Sequence, residues 1–223
     1  GNNPATGLDV TIMPMMYMAS KTHSTPVDGC ADVSNGYYDC TVYYVMPSKM
    51  MDGTSMGEWD LKVMVGGMMG EAAHFYPKVM MAMPLPVTML KNSNLSMTMN
   101  EMTSPRTFQI FTSSLTGSND NHTFELFTST METMMKFPAV DTSVILNEGT
   151  MNALPITNMS VDVSTNPEFN NIYNTSEDGN GYWSTNDPIA GLGDGSTVTL
   201  YVRVTINGAV LNSSIDGVYV DEA

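Results

Sequence analysis

The sequence predicts an all-β protein built from antiparallel β-sandwiches, and three observations predict it. Apolar residues alternate with period two wherever a segment can be read, and clusters of Gly, Asn, Asp and Pro separate those segments. No 12-residue window carries an apolar stripe at helical spacing.

The first strand is marked by Leu8, Val10 and Ile12, which alternate with Asp9 and Thr11. In the next clear strand Trp59, Leu61, Val63 and Val65 alternate with Glu58, Asp60, Lys62 and Met64, which places Met64 on the open face. Over 73–83 a third strand is expected, with Phe75, Val79, Met81 and Met83 inward and His74, Tyr76, Lys78 and Met80 outward. Near the end Val198, Leu200, Val202, Val204 and Ile206 alternate with Thr197, Thr199, Tyr201, Arg203 and Thr205. Phe108, Phe124, Leu126 and Leu200 are expected in the core of the second half.

A chain of 223 residues is ample for two domains. The polar stretch Lys91-Asn92-Ser93-Asn94 comes after a proline-rich segment, and strand character restarts at Arg106-Thr107-Phe108, so the domains are read as 1–95 and 96–223. Asn35-Gly36-Tyr37-Tyr38 is echoed by Asn180-Gly181-Tyr182-Trp183, which suggests related sandwiches.

With 23 acidic against 8 basic residues the chain has a formal charge of -15, which repels a phosphate backbone and argues against nucleic-acid binding. No apolar run is long enough to cross a membrane as a helix. The polar start Gly1-Asn2-Asn3-Pro4 matches the residues just after the lipidated cysteine of a bacterial lipoprotein, and removal of any leader would leave the same kind of start. Cys30 and Cys40 flank the turn signal Val33-Ser34-Asn35-Gly36. A hairpin there brings them within disulfide distance, which would imply an oxidising compartment; two reduced buried thiols or a metal pair are the other readings.

Of the 23 methionines, 21 precede residue 136, and Met13-Pro14-Met15-Met16-Tyr17-Met18 holds four in six residues. A thioether is a neutral soft donor that needs no deprotonation and prefers Cu(I). Pro14 points to an edge or kinked strand, with Met13 and Met15 on one side and Met16 and Met18 on the other. Met80, Met81 and Met83, then Met97, Met99 and Met102, then Met131, Met134 and Met135 form further groups, with Met50, Met51, Met56, Met68 and Met69 in loops. Met97 and Met99 share a face in a strand, whereas Met99 and Met102 meet on a helical turn. Through residue 135 there are only seven leucines and two isoleucines, so half or more of these methionines are expected to fill the core. Met151 and Met159 are isolated.

The histidines, His23, His74 and His122, have no metal-ligand spacing among themselves. No nucleophile elbow, phosphate loop or zinc-protease helix is present, and an enzyme is not expected. Glu177-Asp178-Gly179-Asn180 and Asp194-Gly195 have calcium-loop residues without the full ligand pattern and read as turns.

Met13-Pro14-Met15, Pro26, Asn35-Gly36-Tyr37-Tyr38, Tyr44-Val45-Met46 at a strand end, and Met56-Gly57-Glu58-Trp59-Asp60-Leu61-Lys62-Val63 occur in this order. In these motifs the stretch over about residues 8–84 resembles the YtkA-like or FixH-like domain. The resemblance implies two immunoglobulin-like sandwiches if the second half is related, placement outside the bacterial inner membrane, and copper handling. Relatives often carry histidine after the Met-Pro-Met opening, where this chain has Met16 and Met18, so the resemblance implies Cu(I). The candidate metal ligands are Met13, Met15, Met16, Met18, His23, Met64, His74, Met80, Met97, Met99, Met102, Met131, Met134 and Met135. The function expected is an exported, periplasmic or surface-facing Cu(I)-binding protein for delivery, buffering or sequestration, partnered by copper and by a cuproprotein or envelope protein. The alternative is a structural or interaction module of the cell envelope with methionine as core filler.

Overall fold

The computed structural model describes residues 5–67, 70–81, 87–118, 121–192, 197–213 and 218–222. The expectations for Gly1–Pro4, Met68, Met69, Met83 and Asp194-Gly195 lie outside them. The described residues form an all-β fold of antiparallel sheets, with a 3-10 turn at Thr133–Met135. Two compact units divide at Met81 and Ala82. Val87–Lys91, which precedes the boundary expected at residue 95, hydrogen-bonds to the strand from Phe108 within the second unit.

The first unit contains β1 (Val10–Tyr17), β2 (Thr22–His23), β3 (Val27–Ser34), β4 (Tyr37–Val42), β5 (Glu58–Val65) and β6 (Glu71–Phe75). One sheet runs in the order β2-β1-β5-β6, and β3 pairs with β4 in a separate hairpin. Asn35 and Gly36 have φ of 49° and 78° and close this hairpin between Ser34 and Tyr37. Two successive positive φ angles suit the type I′ turn, whose twist matches that of its strands. Directly across the hairpin, Cys30 and Cys40 form the disulfide.

Trp59 is fully buried and anchors this unit. The irregular segment after β4 covers it: Tyr44 meets the indole edge-on at 4.9 Å, and Trp59 Nε1 donates to the Met46 carbonyl at 3.1 Å. The strand expected to end at Met46 thus ends at Val42, and Tyr43–Met46 becomes a cover. Thr25 Oγ1 fixes it by donating to the Tyr43 carbonyl and accepting from Val45 N. Two strand assignments change. Met64, expected on an open face, is buried where its cross-strand neighbours are the small Thr11 and Ala72. Phe75, expected inward, is 55% exposed because β6 is an edge strand that ends there.

The second unit contains β7 (Val87–Lys91), β8 (Ser96–Met99), β9 (Met102–Pro105), β10 (Phe108–Ser118), β11 (Asn121–Thr130), β12 (Ile145–Leu146) and β13 (Leu154–Pro155). It continues with β14 (Met159–Ser164), β15 (Ile172–Gly179), β16 (Tyr182–Thr185), β17 (Thr197–Ile206), β18 (Ala209–Val210), β19 (Asn212–Ser213) and β20 (Val218–Glu222). The main sheet runs β18-β17-β14-β15-β16-β11-β10-β7-β19, with β20 on β17. Phe108, Ile110, Phe124 and Leu126 from one half of this order share a single core with Val161, Val163, Leu200 and Val204 from the other half. The sheet must curl to bring its halves together, which gives a sandwich-like unit. The β17 alternation is as expected: Leu200, Val204 and Ile206 are buried, with Val198 and Val202 packed beside them. Asn180-Gly181 closes β15 onto β16 with the same positive-φ pair as Asn35-Gly36.

A buried ion pair organises the other end of this unit. Arg106 Nε donates to Glu132 Oε1 at 2.9 Å, and both side chains are almost fully buried. Arg106 also donates to the Ser96 and Asn152 carbonyls, while Glu132 accepts from Thr130 and Asn147. Burial pushes the Glu132 carboxyl above its ordinary value near 4.5, against the pull of Arg106 and its hydrogen bonds.

Replacing Cys30 and Cys40 together by Ala lowers the stability of the first unit by about 2–3 kcal/mol in urea unfolding. Glu132→Ala strands Arg106 and costs about 3–5 kcal/mol. Because the folded pKa of Glu132 is raised, folding takes up its proton. Its contribution is fullest below the ordinary value and is lost as pH rises through the raised one, so stability of the natural protein relative to Glu132→Gln falls over that window.

Candidate functional site

Antiparallel register decides which of the candidate side chains meet, since directly opposed residues share a face. On β1, Met16 is opposite Trp59 of β5 on one side and His23 of β2 on the other. Met18 lies two residues on, with its amide donating to Lys21 O at 2.9 Å to close the short β1–β2 connection. This puts Met16, Met18 and His23 on one face of the sheet.

Gly57 makes room for them. A Cβ built there would lie 3.1 Å from Met16 Cε, 3.1 Å from Met18 Cγ and 2.6 Å from the Tyr17 carbonyl oxygen. The two methionine side chains are therefore neighbours, packed over a residue that has no side chain. Gly57 has φ of 156°, so the site and the backbone both call for glycine. Met16 is fully buried, whereas Met18, His23 and Met56 are half-buried, so the group is closed at its base and reached from its rim. Among the described residues the His23 ring makes no hydrogen bond or ion pair. Two thioethers and an imidazole are donor types that a soft monovalent d10 ion accepts.

Met13 and Met15 take the other face of β1, opposite Lys62 and Asp60. His74 of β6 is opposite Lys62 and joins that face. Its Nδ1 lies 2.9 Å from Asp60 Oδ1, an orienting contact of the kind carboxylates make to ligand histidines. Sequence reasoning missed Asp60, because only the register of β1, β5 and β6 brings the carboxylate and the imidazole together. Lys62 stands between Met13 and His74, which are roughly 10 Å apart at the backbone across two strand spacings. An ammonium in the middle of the set opposes a cation, which makes this face the weaker candidate.

The remaining candidates lie outside these two faces. Met64 is core, and Met80 is 85% exposed beyond the end of β6. Met97, Met99 and Met102 belong to the β8–β9 hairpin of the second unit. Met131 and Met135 are exposed on either side of the buried Glu132, and Met134 lies in the 3-10 turn between them. No group of three or more His, Cys, Asp or Glu able to hold a metal ion occurs among the described residues.

Gly57→Ala forces the Tyr17 carbonyl and both methionines to shift, and is expected to destabilise the first unit by about 2 kcal/mol or more. Chemical denaturation monitored by Trp59 fluorescence measures it.

No protein-family model, no curated protein and no solved structure matches this chain.

Proposed function

We propose that the chain is an exported bacterial Cu(I)-binding protein that holds the ion with Met16, Met18 and His23, for copper delivery, buffering or sequestration. The observation that carries this reading is the convergence of two thioethers on Gly57, with an imidazole directly across the strand from one of them. Neutral sulfur and nitrogen donors match Cu(I), and thioethers keep this capacity in acidic or oxidising surroundings where thiolates are protonated or oxidised. A half-buried position shields the ion from water while Met18 leaves an approach for exchange.

Export is supported by the Cys30–Cys40 disulfide, since such bonds persist in oxidising compartments. The motif resemblance of about residues 8–84 to YtkA-like and FixH-like domains supports an immunoglobulin-like sandwich and an envelope role, with a lipid anchor or a periplasmic location as its two forms. The second unit is read as a sandwich of the same general class. Use of methionine purely as core filler is disfavoured by exposure. Before residue 136, Met16, Met64 and Met97 are buried, while nine others among the described residues, including Met51 at 77% and Met80 at 85%, are exposed.

Anaerobic Cu(I) titration against a competing chelator tests the proposal. The natural protein is expected to bind with a dissociation constant below about 1 µM. Met16→Leu with Met18→Leu conserves volume and is expected to weaken binding by about tenfold or more, as is His23→Ala. Met13→Leu with Met15→Leu leaves it unchanged. Binding weaker than about 1 mM, or equal binding by the Met16/Met18 variant, overturns the proposal.

A further inference from the structure

The β8–β9 hairpin of the second unit carries a second gathering of sulfur. Met97 is opposite Ser104, Thr98 opposite Thr103, and Met99 opposite Met102. Direct partners share a face, so Met97, Met99 and Met102 stand together on one side. The Thr98 and Thr103 hydroxyls meet at 2.8 Å on the other. The hairpin closes through Asn100 and Glu101, whose φ angles of 49° and 67° form a two-residue turn of the type I′ class. Backbone separations of about 5.5 Å between Met99 and Met102 and about 7 Å between Met97 and Met99 are within reach of paired thioether side chains. Exposure rises along the set, from 7% at Met97 through 44% at Met99 to 72% at Met102, so the group has a closed base and an open tip.

A two-stranded ribbon is marginal in water by itself, but this one is braced. The Asn152 side chain accepts from Thr98 N and donates to Thr98 O, both at 2.8 Å, occupying the outer edge of β8. Arg106, held by Glu132, donates to Ser96 O at 2.7 Å and also to the Asn152 carbonyl. The buried ion pair and the amide thus fix both the base and the edge of the ribbon that presents the three methionines. Preorganised donors lose less freedom when they bind.

We propose that Met97, Met99 and Met102 form a second, independent site for a soft monovalent cation, Cu(I) or Ag(I), with three thioether ligands. It uses none of the residues around Gly57 and stands whether or not that site binds copper. Pure thioether coordination selects monovalent d10 ions over Zn(II) and Cu(II), which prefer nitrogen, oxygen or thiolate.

The test uses the full chain labelled with methyl-13C methionine and titrated anaerobically with silver nitrate. The methyl signals of Met97, Met99 and Met102 are expected to shift together along one titration curve, which saturates at one equivalent in the Met16→Leu/Met18→Leu protein, where the other soft donors are removed. Those of the exposed Met51 and Met80 move only at silver concentrations about tenfold higher, as isolated thioethers should. Met99→Leu with Met102→Leu abolishes the Met97 shift. Asn152→Ala, which touches no ligand, weakens the response by about tenfold, while Met51 and Met80 behave as before. Met16→Leu with Met18→Leu leaves the hairpin response intact, which keeps failure of one site distinct from failure of the other. The proposal is overturned if the three signals move separately, if they respond no earlier than Met51 and Met80, or if the Met97 shift survives loss of Met99 and Met102.

Discussion

The register of β1 between β2 and β5 is the constraint on which the first unit depends. It sets Met16 against Trp59 and His23, and it sets Met13 and Met15 against Lys62 and Asp60. A slip of one residue would exchange the two faces, exposing Met16 and burying Met13 and Met15. Burial of Trp59 beneath Tyr44 and Met46 holds the register, because the indole fits its cover only from one face. Packing and ligand placement are therefore one requirement. In the proposed reading the buried Met16 belongs both to the core and to the candidate ligand set, which would place that set directly on the hydrophobic interior.

In the second unit the Arg106–Glu132 pair has the corresponding position. A buried pair of this kind contributes little net stability against a well-packed apolar replacement, yet removal of one partner is costly. Its worth lies in what it orients: the edge of the β8–β9 hairpin, the Asn152 loop and the turn that carries Met131 to Met135. Burial pushes the Glu132 carboxyl above its ordinary value, against the opposing pull of the Arg106 guanidinium and its hydrogen bonds.

Period-two alternation makes the all-β class and the β17 core legible, and the Asn-Gly pairs mark hairpin turns because positive φ angles leave few alternatives to Asn and Gly. Alternation fails at edges. Phe75 fits an inward pattern but lies on a strand with one neighbour, and Met64 is buried on the face that its alternation marks as open. Neither outcome is encoded in a single strand, since both depend on what lies across it. The two sides of the Met13–Met18 stretch are legible from parity, whereas the histidine belonging to each side depends on pairing with β2 or across β5. Met97 and Met99 share a face as a strand requires, and Met99 and Met102, which would also approach on a helical turn, meet here across a hairpin. The Asn100-Glu101 turn gives a weaker signal than Asn-Gly, which is why the ribbon is hidden in the sequence.

X-ray absorption at the copper edge tests the central claim most directly, using Met99→Leu/Met102→Leu protein loaded anaerobically with one equivalent of Cu(I). The coordination expected from Met16, Met18 and His23 is two sulfurs and one nitrogen, with the edge shape of a three-coordinate Cu(I) ion. A shell of nitrogen and oxygen alone, or one unchanged when Met16 and Met18 are replaced by Leu, would contradict the account.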